Sequence, residues 1–221
     1  MRNRVRGKDI DPLRCRRCRL HTDLCACDLL GPIQVTTRVL LVAHTAEVRK
    51  PTNTGQLAIA CLDAQLCLRG REDVPNDPVV WDSTTTPLLL FPTADAVPLD
   101  EWRAANPGAR VTLIVPDGTW RQAKRIPRRV PELRGVQAVK LAAVQGSDYR
   151  LRRASWDEHL ATMEAIALAL GVLEGSAVEE RLVHVFRAVV DRALWSNGRM
   201  ATTDVTGGVP DGARQDGPRP G

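Results

Sequence analysis

The tetrapeptide Asp117-Gly118-Thr119-Trp120 constrains this chain more than any other segment. It follows residues 111–116, an apolar run that predicts a buried strand, and it precedes residues 121–125, which predict the first turns of a helix. An acid, a flexible glycine, a hydroxyl and an aromatic ring therefore stand at the carboxyl end of a strand. Ligands bind at this end of the strands in open α/β sheets, so the tetrapeptide is the first candidate for a functional site.

Segments that predict strands alternate along the chain with segments that predict helices. The strands are expected at residues 37–43, 79–81, 87–91, 111–115 and 138–141. The helices are expected at residues 54–68, 100–105, 157–171 and 177–195, with one more after residue 118. This alternation is typical of an α/β domain with a mostly parallel sheet.

The 221 residues can bury one sizeable core with a small appendage. We expect a basic flexible arm at 1–13, a cysteine segment at 14–30, the α/β domain at 31–199 and a disordered tail at 200–221. There is no apolar run of about 18 residues and no apolar segment typical of a signal peptide. The chain is therefore predicted to be a soluble, cytoplasmic protein.

Four cysteines within 13 residues predict a metal site, with the spacing Cys-x2-Cys-x6-Cys-x-Cys: Cys15, Cys18, Cys25 and Cys27. Zinc prefers four soft ligands in a tetrahedron, and a closed thiolate shell makes the metal structural. An iron–sulfur cluster is the main alternative, while disulfides are unfavourable in a reducing compartment. His21 lies between the two pairs and could replace one thiolate. Cys61 and Cys67 fall on the helix predicted at 54–68 and are expected in the core.

The net charge of +5 is unevenly distributed. Eight of the first 20 residues are basic, and a second basic run covers residues 121–134. Arginine accounts for 27 of the 31 basic residues, and its planar guanidinium is the better bidentate ligand for phosphate. A solvated basic surface would also fit this composition. The two separate clusters favour nucleic-acid binding.

The polar segment 44–57 follows the first predicted strand and so also lies at a strand carboxyl end. It contains His44, Glu47, Asn53, Thr54 and Gly55. Threonine and asparagine at 52–54 also fit a simple helix cap with no chemistry. From the spacing alone, the cap is the favoured interpretation.

These segments together resemble the DTW-domain family, which is named for its Asp-x-Thr-Trp motif. The resemblance covers most of residues 14–195: the cysteine segment, the His-x-x-Glu…Lys-x-Thr-Asn-Thr-Gly-x-Leu stretch from His44 to Leu57, the Pro-Asp-Gly-Thr-Trp motif, and 149–153 followed by 160–165. The last of these departs from the family pattern at Ala161, where a small polar residue is common. The departure puts one hydrogen bond in doubt.

The resemblance implies a tRNA-uridine aminocarboxypropyltransferase. Such an enzyme moves the 3-amino-3-carboxypropyl group of S-adenosylmethionine to N3 of a tRNA uridine and releases 5′-methylthioadenosine. The family is related to SPOUT-type enzymes, which implies a mostly parallel sheet with a C-terminal knot. The alternatives are a SPOUT-like RNA methyltransferase and a non-catalytic zinc-knuckle RNA-binding protein. The expected partner is tRNA, not DNA or a membrane, and the oligomeric state is open, with a monomer slightly favoured.

With the resemblance, Asp117, Thr119 and Trp120 become the catalytic candidates. Asp117 would act as a base or orient uridine N3–H, and its alternative role is to cap the following helix. Thr119 would bond the substrate or only the turn, and Trp120 would stack on a base or lie in the core.

The remaining candidates bind cofactor or tRNA. The cofactor-binding candidates are Pro92, Thr93, Asp117, Thr162 and Glu164, although Glu164 also fits a first-turn helix residue. The tRNA-binding candidates are His44, Asn53, Arg121, Lys124, Arg125, Arg128, Arg129, Arg152 and Arg153.

Overall fold

The computed structural model describes residues 12–70, 75–142 and 160–215. Across these ranges six strands form one sheet: β1 (Arg38–His44), β2 (Gln65–Arg69), β3 (Thr86–Leu90), β4 (Val97–Pro98), β5 (Val111–Asp117) and β6 (Gln137–Lys140). The strand order is β2-β1-β5-β3-β6-β4, and every pairing is parallel. The predicted α/β class with a parallel sheet is confirmed.

Seven α-helices connect and cover the strands in the described ranges: α1 (Thr45–Val48), α2 (Gly55–Leu62), α3 (Leu99–Ala105), α4 (Trp120–Ala123), α5 (Ile126–Arg129), α6 (Thr162–Glu174) and α7 (Ser176–Ser196). Short 3₁₀ turns lie at Thr22–Leu24, Pro131–Leu133 and Thr202–Asp204. Within these ranges, none of the helices is long and apolar enough to cross a membrane.

Both faces of the sheet are buried. Alternate side chains of a strand point to opposite faces, so Leu41 of β1 joins one core cluster and Leu40 joins the other. The first cluster includes the inner faces of α6 and α7, and the second is closed by Ala123 and Ile126 of α4 and α5. Strand β5 lies between β1 and β3 and is buried at every position. The end of β5 is therefore held firmly within the sheet.

The helix predicted at 54–68 is too long. It ends at Leu62, and Asp63 takes the left-handed conformation with φ of 52°. The chain then enters β2, so Cys67 lies in a strand and not on a helix. The leucines and Cys67 in β2 continue the apolar spacing of α2. The sequence pattern therefore does not show where the helix ends and the strand begins.

The strand predicted at 79–81 is also wrong. Val79 is buried in the second core cluster, which explains its apolar character, but it lies in an irregular segment. Its backbone N–H donates to a carboxylate oxygen of Glu132 at 3.3 Å instead of to a strand. Pro78, directly before it, has no N–H to offer a strand partner.

Residues 200–215 differ from the predicted disordered tail, because this segment packs against α7. Val205 is buried in the first core cluster, and the backbone N–H and hydroxyl of Thr206 both donate to Asp191. The buried Arg192 donates to the carbonyls of Gly207 and Gly208. Satisfied polar groups of this kind fix a segment that has no periodicity of its own.

Several predictions fall wholly or partly on residues outside the described ranges, including the start of the helix predicted at 157–171 and the end of the tail predicted at 200–221. The knot depends on the path of residues 143–159 between β6 and α6. Arg152 and Arg153 lie in the same segment, and most of the basic arm at 1–13 also lies outside.

Candidate active site

Asp117 ends β5 and joins three distant parts of the chain. Its side chain is buried, with the residue 3% exposed. One carboxylate oxygen accepts a hydrogen bond from the Asn53 side-chain amide at 2.7 Å, and the other accepts from the Thr162 hydroxyl at 2.6 Å. We refer to Asp117, Asn53 and Thr162 as the Asp117 centre. Sequence analysis selected all three residues, and the structure brings them together.

Gly55 allows this close approach. A Cβ atom at position 55 would lie only 2.9 Å from a carboxylate oxygen of Asp117. The Asn53 side chain also accepts from the backbone N–H of Gln56 at 3.2 Å, in the first turn of α2. Asn53 thus bonds the first turn of α2 as a capping residue does, and the same side chain also holds the Asp117 carboxylate.

The N-cap of α6 is Ala161, which has no side-chain hydroxyl to cap the helix. Thr54 supplies a hydroxyl from another part of the chain, since its Oγ1 accepts from the backbone N–H of Met163 at 3.3 Å. Glu164 accepts from the N–H of Ala161 at 2.7 Å and is buried. Thus Glu164 acts as a helix-start residue, which is the alternative role given to it from the sequence.

Thr119 is the N-cap of α4, and its polar groups form hydrogen bonds within the turn. Its N–H and its hydroxyl both donate to the side-chain oxygen of Gln122, at 2.7 and 2.6 Å. The backbone N–H of Gln122 donates back to the Thr119 hydroxyl at 3.4 Å, which completes a capping box. This arrangement fixes the direction in which Trp120 leaves the turn.

Trp120 is not a core residue, since it is 48% exposed. Its ring stacks on Phe91, with the ring centroids 5.1 Å apart and the planes inclined by 30°. Phe91 directly follows β3 and was not selected from the sequence, because one apolar residue at a strand end is not distinctive. The stack brings the loop after β3 next to the tetrapeptide.

The same loop carries the cofactor candidates Pro92 and Thr93. Pro92 is exposed, whereas the hydroxyl oxygen of Thr93 is buried and has no hydrogen-bond partner among the described residues. A buried hydroxyl without a partner is unfavourable by about 1–3 kcal/mol. A bound polar group at this position would remove that cost.

His44 and Glu47 lie on the other side of the tetrapeptide. The ring nitrogen Nδ1 of His44 accepts from the N–H of Ala46 at 3.2 Å, which caps α1. Gly70 has a φ of 75° and packs so closely that a Cβ there would lie 2.4 Å from His44 Nε2. The buried Glu47 pairs with Lys50 at 2.7 Å.

The basic residues after the tetrapeptide are exposed on α4, α5 and the turn between them. We call this set the α4–α5 face: Arg121, Lys124, Arg125, Arg128 and Arg129. A cleft of about 630 Å³ opens between part of this face and the ends of β1 and β2. Arg69 at the end of β2 lines the cleft, and no sequence motif pointed to it.

The four predicted metal ligands come together. Their sulfur atoms all lie within 4.8 Å of one another, with Cys15 and Cys27 at 3.3 Å and Cys18 and Cys25 at 3.8 Å. A tetrahedral zinc ion with Zn–S distances of about 2.3 Å sets its sulfurs about 3.8 Å apart. All six cysteines are free thiols. The donor set and its spacing therefore fit a closed tetrathiolate site.

Burial and backbone hydrogen bonds shift the pKa values of the cluster's thiols in opposite directions. Burial raises the pKa of Cys15, but hydrogen bonds from the backbone N–H groups of Cys18 and Arg17 lower it to about 6. Burial raises the pKa of Cys18 to about 11, although hydrogen bonds from the backbone N–H groups of Ala26 and Leu20 act to lower it. A metal ion can bind here only when the thiols lose their protons, so its affinity would fall at low pH.

The cysteine segment is built into the main core and is not a separate appendage. Cys18 and Leu20 belong to the first core cluster. Arg192 of α7 donates to the carbonyl of Cys25 at 2.6 Å. The buried Arg19 donates to the Gln56 side chain at 3.4 Å, three residues from Asn53, so the cysteine segment supports the loop that holds the Asp117 centre.

Comparison with known proteins identifies relatives over most of the chain. The model of the DTW domain matches residues 12–194. The tRNA-uridine aminocarboxypropyltransferase 2 of Mus musculus is 32% identical over 185 residues, which are 79% of this chain and 61% of that protein. Its counterpart in Drosophila melanogaster is 33% identical over 174 residues, 73% of this chain and 66% of that protein. The chain thus spans about three fifths of the length of the first of these relatives.

One solved structure also matches. The SAM-dependent rRNA:acp-transferase Tsr3 from Vulcanisaeta distributa covers 77% of this chain and 86% of its own, with a TM-score of 0.48 and 16% sequence identity.

Proposed function

The chain belongs to the DTW-domain family, and we propose that it transfers the 3-amino-3-carboxypropyl group of S-adenosylmethionine to N3 of a uridine in tRNA, releasing 5′-methylthioadenosine. The names of its relatives in mouse and fly support this activity. The observation that carries the proposal is the Asp117 centre, in which the family motif, the loop before α2 and the start of α6 meet at one carboxylate. We also propose that the enzyme is cytoplasmic and that its fold carries a SPOUT-like C-terminal knot.

The reaction has simple requirements. The sulfonium of the co-substrate activates the γ carbon, so N3 attacks that carbon while its bond to sulfur breaks and the N3 proton leaves. Attack on the methyl carbon would instead give methylation. The protein selects between the two outcomes by holding one carbon in line with N3, at about 3–3.5 Å.

Asp117 organises this alignment. A carboxylate that accepts from both Asn53 and Thr162 keeps two polar side chains in fixed positions at the end of β5. It also stands beside the turn from which Trp120 projects. We propose that it orients uridine N3–H and accepts its proton, since general-base catalysis requires a group within hydrogen-bond reach of that proton.

The co-substrate would lie against the loop after β3. The buried Thr93 hydroxyl, which lacks a partner among the described residues, is the group best suited to bind it. Thr162 donates to the Asp117 carboxylate, and Glu164 supports it by fixing the start of α6. Trp120, stacked on Phe91, would offer an exposed aromatic surface to a base.

Zinc would occupy the four-cysteine site. Four thiolates at this spacing leave no open coordination position, so the metal would serve stability and not the reaction. A colourless protein with one zinc per chain is expected, whereas the visible absorption of an iron–sulfur cluster would contradict this assignment.

A double-label assay tests the reaction. Purified protein and unmodified tRNA are incubated with S-adenosylmethionine labelled either in the carboxyl carbon or in the methyl group. We expect label in tRNA only from the carboxyl-labelled compound. Label from the methyl compound would identify a methyltransferase, and label from neither, on tRNA that still binds, would favour the non-catalytic RNA-binding alternative.

A further inference from the structure

The cleft beside the tetrapeptide has the character of an anion site. Its volume is about 630 Å³, and four arginines line it together with His44 and Asn76: Arg69, Arg121, Arg125 and Arg129. Thr119 of the tetrapeptide also lines the cleft. A ligand in the cleft would therefore contact the turn that carries the tetrapeptide.

Only part of the α4–α5 face contributes to this cleft. Arg121, Arg125 and Arg129 recur every four residues and line it, whereas Lys124 and Arg128 do not. Residues four apart share one side of a helical segment. The spacing thus separates three cations that could act on one ligand from two that face elsewhere.

Arg69 has a buried N–H donor beside the cleft that no acceptor in the described part of the chain satisfies. Its side chain is only 16% exposed, and one terminal nitrogen donates to Glu132 at 3.3 Å. Its Nε–H is buried and has no acceptor among the described residues. Leaving such a donor unpaired is unfavourable, and a ligand oxygen would satisfy it.

The charge balance of the cleft favours a polyanion. Glu132 compensates Arg69, while the side chains of Arg121, Arg125 and Arg129 form no ion pair with carboxylates in the described part of the chain. Arginine forks match the paired oxygens of a phosphate. The cleft is larger than one phosphate group, so it has room for a short piece of phosphodiester backbone.

We propose that this cleft binds the phosphodiester backbone of the substrate RNA next to the nucleotide that is modified, with Arg69 as its buried contact. The inference rests on the proposed function, and it assigns to the cleft the task of setting the register of the strand. Contacts to phosphates position a nucleic acid without reading its sequence. The position of the target nucleotide would then depend on Arg69, Arg121, Arg125 and Arg129 more than on the other basic residues of the face.

Two charge-matched double variants test the cleft. Arg125→Gln with Arg129→Gln removes two cleft charges, and Lys124→Gln with Arg128→Gln removes two charges outside it. Each phosphate contact contributes about 0.7–0.9 to the slope of log K against log salt concentration. We expect the slope for tRNA binding to fall by about 1.5 in the cleft variant and by less than half as much in the control. Equal changes in the two variants would overturn the proposal.

Ethylation interference locates the contact. Randomly ethylated tRNA is sorted by binding to wild type and to both variants. We expect one or two phosphates beside the modified uridine to be sensitive with wild type and with the control, and insensitive with the cleft variant. Arg69→Lys, which keeps the charge and removes the fork, should weaken the same interference. Interference that is unchanged in the cleft variant would contradict the proposal.

The same samples separate this inference from the proposed function. If wild type modifies no nucleotide while the two variants still differ in salt slope, the proposed function fails and the phosphate site stands. If modification proceeds and the slopes agree, only the cleft assignment fails. Calorimetric titration with ATP should show no saturable binding. Saturable binding that is lost in the cleft variant would identify a free nucleotide and not RNA as the ligand.

Discussion

Asp117 lies only four residues before Arg121, yet the Asp117 centre and the α4–α5 face differ in burial and in hydrogen bonding. Asp117 is 3% exposed, and both of its oxygens accept hydrogen bonds from side chains of other segments. The five basic side chains of the face are exposed and make no hydrogen bond or ion pair with described residues. Groups that must hold reacting atoms in line are fixed by burial, while groups that follow a flexible polyanion remain free to adjust.

Among the predicted substitutions, Asn53→Asp should have the largest effect on activity. The substitution preserves shape but sets a second carboxylate 2.7 Å from Asp117, and two like charges at that distance disfavour each other's ionised form. We expect kcat to fall by at least about a hundredfold, as for a misplaced catalytic group, with a much smaller change in tRNA affinity. Single-turnover kinetics and filter binding measure the two quantities.

The matched control for Asn53→Asp is Arg125→Gln, which makes the same change in net charge on the exposed face. It should weaken tRNA binding and leave kcat unchanged. If the two variants lose activity and affinity in the same proportion, the two regions do not have separate tasks.

Gly55→Ala should have the next largest effect. The added Cβ would lie 2.9 Å from the Asp117 carboxylate, so the carboxylate or α2 must move. We expect a loss of about 1–3 kcal/mol in unfolding free energy, together with reduced activity. Gly31→Ala is the control, because its Cβ would meet only the flexible end of Arg181. Equal urea midpoints for the two variants would show that Asp117 and Gly55 do not pack as described.

Thr54→Val tests whether the Thr54 hydroxyl caps α6. Loss of the hydroxyl leaves the Met163 N–H of α6 without its acceptor, at an expected cost of about 1 kcal/mol. Ala161→Ser restores a hydroxyl at the cap position itself. We expect this second substitution to stabilise the Thr54→Val variant more than it stabilises wild type. Additive changes in unfolding free energy would mean that Thr54 is not the cap.

These substitutions also show which features the sequence could predict. The strand run and the tetrapeptide placed Asp117 correctly, because both depend on residues close together in the chain. The cap on α6 depends on Thr54, more than a hundred residues before the helix, and local spacing cannot reveal such a contact. Phe91 and Arg69 were missed because neither belongs to a distinctive motif and only the packing of the strands brings them to the site.

The smallest predicted effect is a pH dependence at Glu174, far from the site. Burial raises the pKa of this carboxyl, but donors from Thr37 and Thr36 outweigh it, so the pKa lies below the ordinary glutamate value. The ionised form stabilises the fold above the ordinary pKa, and this contribution is lost as pH falls through the lowered value. Glu174→Gln should therefore differ from wild type at neutral pH and approach it in acid. A difference in urea midpoint that does not change with pH would contradict the assignment.

The most direct test of the Asp117 centre is the mass of the nucleosides in tRNA treated with S-adenosylmethionine and either wild type or Asp117→Ala. We expect a uridine heavier by one aminocarboxypropyl group with wild type, and none with Asp117→Ala, although the variant still folds and binds tRNA. The same heavier uridine at an undiminished rate with Asp117→Ala would show that the reaction does not depend on this carboxylate.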